Sequence, residues 1–281
     1  MFELKLSNIV RNLRRLFNKG YTETDNFNVN PDIETLPIDL SKINSEKQLL
    51  EKAKWLEGKT LGEIKKEIRD SDTLSRVLTK GDVGYVIEKG FFGIDKNSLA
   101  GADIHTLGIE IKTNPLKYNK SRTMLSVKEP LSLNIINYFD EVKTEDIKES
   151  ALYRKNKKIL FILYIHDKSL NRSDYLIKYV FLWEMDEKVL AELRPDYKLI
   201  VDKIKQGNAH EIHQYEHKYL TICPKHNGTF KDPKDMRSKR PQPFSDRPAE
   251  IRAFRLKNGY VNLIISRALG KTLEKKGGWI I

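Results

Sequence analysis

The stretch Asp103-Ile104-His105-Thr106-Leu107-Gly108-Ile109-Glu110-Ile111-Lys112-Thr113 decides how the rest of the chain is read. From Leu107 to Thr113 apolar and polar residues alternate, which is the period of a half-buried strand. Ile109 and Ile111 then point to a core, while Glu110 and Lys112 share the opposite face. Gly108 centres a turn, and Asp103 brings a second carboxylate from upstream of it. Two carboxylates converging beside an ammonium make a site for a hard, oxygen-seeking divalent cation. The lysine can hold or help deprotonate a water that the metal has acidified, which is what phosphodiester hydrolysis requires.

The acid-x-Lys pattern also occurs at Glu63–Lys65, Glu141–Lys143, Asp146–Lys148, Asp186–Lys188, Glu216–Lys218 and Asp232–Lys234. In a chain with 32% charged residues a solvated strand face carrying an ion pair gives the same triplet. The copy at Glu110 differs in its setting: an apolar strand, a spaced acid before it and Asn114-Pro115 after it.

At 281 residues the chain can bury a substantial core, as one large domain or two packed lobes. A formal charge of +12 fits a polyanionic partner, because each neutralised phosphate releases counterions. The longest apolar run, Ile159 to Ile165, is far too short for a membrane span and reads as a buried strand. The N-terminus lacks a signal-peptide core, and the lone Cys223 excludes an internal disulfide framework, so a cytoplasmic protein is expected.

Helices are predicted at Glu46–Leu56, Leu61–Ile68, Val83–Phe92 and Val261–Leu269, and over Glu187–Lys205 with an interruption at Pro195. Strands are predicted at Gly108–Thr113, Met124–Val127, Ile159–His166, Tyr175–Trp183, Lys218–Cys223 and Ile251–Leu256. Pro224 to Pro248, basic and rich in Pro and Ser, reads as a mobile surface loop. This alternation gives an α/β (α+β) fold, a mixed sheet flanked by helices.

Glu88, on the helix Val83–Phe92, is a further acid for a metal centre or an ordinary solvated helical Glu. The run Arg154-Lys155-Asn156-Lys157-Lys158 precedes a strand, solvated or placed at the mouth of a cleft against a phosphate. His210, His213, His217, Cys223 and His226 match no standard zinc spacing and read as ordinary helix-face histidines. Arg252 to Tyr260 interleaves basic and aromatic residues, as a phosphate-contacting stripe or an amphipathic strand burying Phe254 and Leu256.

Several blocks together resemble the family of the mismatch-repair nicking endonuclease MutH. They are Leu49 to Ile64, the Lys80-Gly81-x-x-Gly84-x-x-x-Glu88 pattern, Leu107 to Pro115, Arg154 to Leu160, Tyr219 to Lys225 and Phe254 to Tyr260. They run in order from about residue 47 to 270. Leu133-Asn134-Ile135-Ile136-Asn137-Tyr138 and Arg252-Ala253-Phe254 resemble the catalytic half of GATC-cutting restriction endonucleases related to it.

The resemblance implies a Mg²⁺-dependent endonuclease of the PD-(D/E)xK, restriction-endonuclease-like fold, whose two lobes form a cleft for double-stranded DNA. It divides the chain into an N-terminal extension, 1–44, and an endonuclease domain, 45–281. It makes Asp103, Glu110 and the Ile111 carbonyl metal ligands, with Glu88 in support. Lys112 orients or activates the water, and Lys155 meets the reacting phosphate. Lys80, Lys225, Arg252, Lys257 and Tyr260 contact DNA, Lys225 reading bases. Cys223 departs from the family's arginine before the Pro-Lys pair, and the basic loop after His226 is longer than the family pattern.

The leading expectation is a type II restriction endonuclease cutting near GATC, alongside a cognate DNA methyltransferase, as a monomer or a DNA-induced dimer. The alternatives are a methyl-directed mismatch-repair nickase and a DNA-recognition domain without catalysis.

Overall fold

A computed structural model describes residues 36–68, 82–95, 101–225, 236–275 and 277–281. Its centre is a five-stranded sheet. The strands are β1 (Glu110–Tyr118), β2 (Met124–Val127), β4 (Lys158–Ile165), β5 (Ile177–Glu184) and β10 (Trp279–Ile280), in the order β10-β2-β1-β4-β5. β1 and β4 are parallel, with Glu110 opposite Ile159 and Lys112 opposite Phe161; the other pairs are antiparallel.

The apolar run that forms β4 lies in the middle of the sheet and is covered on both faces, which is why it does not alternate. Ile159, Phe161 and Leu163 face one core. With them pack Leu190, Leu193, Tyr197 and Ile200 of the long helix α6 (Glu187–Lys205), and Phe254 and Leu256. Leu160 and Ile162 face a second core with Ile109, Ile111, Ile177 and Val180. That face is closed by α1 (Glu46–Lys54), α2 (Leu61–Glu67) and the segment Asp82–Phe91. Leu36, Ile38 and Ile43 are buried there too, so close packing begins upstream of Ser45. Ser45 caps α1 by accepting from the Gln48 amide, and Thr60 and Glu63 form a reciprocal capping box on α2.

A second sheet stands against the first core. It consists of β3 (Leu131–Ile135), β9 (Arg252–Leu256) and β6 (Leu220–Pro224), antiparallel in the order β3-β9-β6. Short helices α4 (Tyr138–Glu141) and α5 (Ala151–Asn156) follow β3, and α7 (Asn258–Ala268) follows β9. This mixed α+β sheet with helices on its faces is the restriction-endonuclease-like architecture expected from the sequence. Among the described residues, no helix is long and apolar enough to cross a membrane.

The structure corrects several local expectations. α6 runs unbroken through Pro195. Proline costs a helix interior about 3 kcal/mol; Val189, Leu190, Leu193, Tyr197, Ile200, Val201 and Ile204 bury one stripe, each large aliphatic contributing about 1.5–3 kcal/mol. The helix expected at Val83–Phe92 is present over Asp82–Phe91, but it widens from one α-turn, α3 (Asp82–Tyr85), into π-helix over Val86–Phe91.

β1 starts at Glu110 and continues through Pro115 to Tyr118. Proline is tolerated there because it stands at the end of the pairing with β2, where its carbonyl accepts from the Lys128 amide (2.8 Å) and no bond from its own nitrogen is called for. The supposed mobile loop contains a hairpin, β7 (Lys239–Gln242) and β8 (Ser245–Glu250). Buried Gln242 ties its turn down by accepting from the Ala209 amide and donating to the Arg247 carbonyl. His210 lies on a short 3₁₀ turn, His213 is the extended residue capping the next one, so they share no helix face, and His217 is buried beside Thr221. Among the described residues no three His, Cys, Asp or Glu side chains converge on a metal position.

Candidate active site

Asp103 reaches Glu110 because the chain folds back between them. Ile104 and Ile109 form an antiparallel bridge, and Gly108 takes φ of +65°, a left-handed conformation natural to glycine. The Asp103 carboxylate accepts a hydrogen bond from the Ile111 amide (2.9 Å), and the Asp103 amide donates to Glu110 Oε2 (3.2 Å). The two acids thus hold each other through the backbone at the start of β1.

Glu110 is 2% exposed. Its Oε1 accepts from Lys112 Nζ at 2.6 Å, and Lys155 Nζ lies 3.6 Å from the same oxygen. Lys155 arrives from the helix that leads into the other strand of the parallel pair. It sits in the last turn of α5, a few residues before Ile159, which lies opposite Glu110. Burial raises the Glu110 carboxyl above its ordinary value; Lys112 pulls it down, and Asp103 pushes it up again. A buried carboxylate facing two ammoniums and a second carboxylate is a concentrated set of opposed charges.

The donor set fits a divalent cation of the magnesium type. All its candidate ligands are hard oxygens: Asp103, Glu110 and the Ile111 carbonyl. Among the described residues no hydrogen bond reaches Asp103 Oδ1, leaving one carboxylate oxygen open.

The other expected site residues are placed less uniformly. A Cβ added at Gly84 would lie 3.4 Å from Glu88 Oε1 and 3.6 Å from Thr113 Oγ1, so Gly84 sits close to both the Glu88 carboxylate and β1 one residue beyond Lys112. Lys80 lies outside the described residues. Lys225 is exposed at the end of β6, where its amide donates to the Ile251 carbonyl (2.7 Å).

Arg252 and Tyr260, expected on the DNA surface, are buried instead. The Arg252 guanidinium donates to the carbonyls of Ala209 and His210, and the Tyr260 hydroxyl donates to Glu192 (2.7 Å). Lys257 is partly exposed, with its ammonium on the His217 carbonyl. In the basic–aromatic stripe, burial of the aromatic side decided the placement.

The sequence reading missed one contact beside the site. Asn156, fully buried and next to Lys155, donates to Asn134 Oδ1 on β3 (3.2 Å) and to the Leu152 carbonyl (3.0 Å). It joins the helix carrying Lys155 to the second sheet. No local pattern marks it, because both partners are single polar residues far apart in sequence.

The family model for the DNA mismatch repair enzyme MutH matches residues 92–196, which contain Asp103, Glu110, Lys112 and Lys155. The type II restriction enzyme Sau3AI of Staphylococcus aureus is 34% identical over 191 residues. The match covers 67% of this chain but only 37% of that enzyme, so the chain spans little more than a third of its length. The DNA mismatch repair protein MutH of Actinobacillus pleuropneumoniae serotype 3 is 30% identical over 186 residues, covering 65% of this chain and 77% of that protein. The protein of that name from Escherichia coli K12 is 27% identical over 188 residues and is covered to 78%.

Proposed function

The chain belongs to the MutH family, and from that footing we propose that it is a site-specific endonuclease: a type II restriction enzyme making Mg²⁺-dependent double-strand cuts in DNA at a short site, GATC. The observation that carries this reading is the cluster at the start of β1. There Asp103 and Glu110 share backbone hydrogen bonds while Lys112 and Lys155 converge on Glu110 Oε1.

Asp103, Glu110 and the Ile111 carbonyl would hold the cation. When bound, it supplies Lewis acidity and neutralises charge at the phosphate. The chain's own groups supply the rest. Lys112 projects from the strand face of Glu110 and orients the attacking water by donating to it. Lys155 approaches from α5 and donates to a non-bridging phosphate oxygen as negative charge builds there. Glu88, whose carboxylate and Thr113 of β1 both lie close to Gly84, supports the metal centre. Exposed Lys225 supports base recognition, since a lysine pairs well with guanine acceptors in the major groove.

The similarity to Sau3AI and the Leu133–Tyr138 block favour restriction, with a cognate methyltransferase protecting the host's own sites. A methyl-directed mismatch-repair nickase is the second reading. It is favoured by the fuller coverage of proteins named MutH, 77% against 37%.

Digestion of methylated and unmethylated plasmids with Mg²⁺, followed by mapping of the ends, tests the choice. Double-strand ends at one short sequence, formed without a partner protein, support restriction. Single nicks that require a partner ATPase support the repair reading. Plasmid left intact under both conditions, with and without the partner ATPase, contradicts both.

A further inference from the structure

β3 ends in an exposed aliphatic side chain. Ile135 is 50% exposed, and Phe139, just beyond the Asn137 turn, is 48% exposed, in a segment whose neighbours Ile136 and Tyr138 are buried. Leaving Ile135 and Phe139 in water forgoes the gain of burying them, a gain that a contact made on binding recovers.

Their position says what the contact is. The preceding residue, Asn134, is bonded to Asn156, the neighbour of Lys155. Across the second sheet, Ile135 and Cys223 both pair with Ala253, one from each side. At about 4.8 Å per strand spacing, Ile135 and β6 are roughly 10 Å apart. Lys225 lies two residues beyond Cys223 at the same end of the sheet. The exposed aliphatic thus lies between the helix bearing Lys155 and the lysine assigned to base reading. A duplex spanning Lys155 and Lys225 would cross the end of β3 that carries Ile135. The one apolar feature a major groove offers there is the 5-methyl group of thymine.

We propose that Ile135, flanked by Phe139, is a specificity-determining residue that packs against a thymine methyl in the recognised duplex. This rests on the endonuclease reading above and adds the base edge that the β3 end recognises. Lys225 and Ile135 then divide the work: the ammonium reads a purine acceptor, and the aliphatic reads the methyl beside it.

The test uses the full chain with Mg²⁺ and two duplexes carrying the site mapped for it. One contains thymine and the other deoxyuridine, so they differ only by the methyl group. Burying one methyl corresponds to about a fourfold preference, so the wild-type chain is expected to cut the thymine duplex about fourfold faster in kcat/KM. In Ile135→Ala the two rates converge, and Ile135→Val keeps part of the difference. Equal wild-type rates on both duplexes, an undiminished preference in Ile135→Ala, or a mapped site without a T·A pair overturns the inference while leaving the nuclease reading intact. Failure of the wild-type chain to cut any duplex removes that reading, and the inference with it.

Discussion

At the scale of single residues, the proposed function assigns the groups around Glu110 to the phosphate and Lys225 to the bases. Lys112 and Lys155 touch a carboxylate on the reacting side, and phosphate and water contacts carry no base identity. Lys112→Ala and Lys155→Ala are each expected to slow cleavage by about 10²–10⁴-fold, the range for a positioned proton-transfer or charge-stabilising group, without changing the preferred sequence. Single-turnover rates on cognate and one-base-altered duplexes measure both effects. A changed preference in Lys155→Ala contradicts its place at the phosphate.

A second residue-scale consequence lies away from the site. Glu141 is buried, with Tyr197 donating to it at 2.6 Å. Burial raises its carboxyl above 4.5, only partly offset by the Tyr197 hydrogen bond and the Arg154 charge. Between 4.5 and that raised value the folded chain holds more protons than the unfolded one, so stability falls as pH rises through this window. Glu141→Gln removes the titration. The stability of Glu141→Gln relative to wild type should therefore rise from pH 4 to pH 8 in urea unfolding. A difference that is flat with pH removes the assignment.

At the scale of elements, a helical carboxylate organises the start of the strand that presents Lys225. Buried Asp196 on α6 accepts from the amides of Lys218 (2.7 Å), Tyr219 (2.6 Å) and Leu220 (2.9 Å). Hydrogen bonds to a charged group contribute about 1.5–3 kcal/mol each, so Asp196→Ala should destabilise the chain by roughly 3 kcal/mol or more. Chemical denaturation measures this, and a loss below about 1 kcal/mol contradicts the role.

The same elements show what the sequence could reveal. β1 and β4 were legible because alternation and a continuous apolar run each have one simple cause, one face buried or two. The meeting of Asp103 with Glu110 was legible because it is local, across a turn marked by Gly108. The hairpin β7–β8 was hidden because its strands are polar and its anchor, Gln242 against Ala209, is long-range. The unbroken α6 was hidden because packing outweighed Pro195. The burial of Arg252 and Tyr260 was hidden because a basic–aromatic alternation reads equally well from either face. Asn134 and Asn156 carry no signal until the fold brings them together.

At the scale of the whole molecule, a formal charge of +12 predicts that the proposed DNA binding depends on salt. Exposed Arg240 and Arg247 on the hairpin are charges of this kind. Neutralising both should flatten the log–log salt dependence by about 2 and weaken cognate and random DNA alike. Lys225→Ala should instead lose cognate affinity by about 1–3 kcal/mol with little loss on random DNA. Competition binding with Ca²⁺ in place of Mg²⁺, at several salt concentrations, separates the two. Equal losses on both DNAs for Lys225→Ala would make that residue a phosphate contact.

In the proposed function the carboxylate pair at the start of β1 performs the chemistry of a DNA-cutting enzyme. The most direct measurement is cleavage of a cognate duplex by wild type, Asp103→Ala and Glu110→Gln with Mg²⁺, beside their affinities for the same duplex with Ca²⁺. Wild type should cut, and chelation with EDTA should stop it. Both variants should bind the duplex within a few-fold of wild type and fail to cut it. Near-normal cutting by either variant, or cutting that persists in EDTA, contradicts the account.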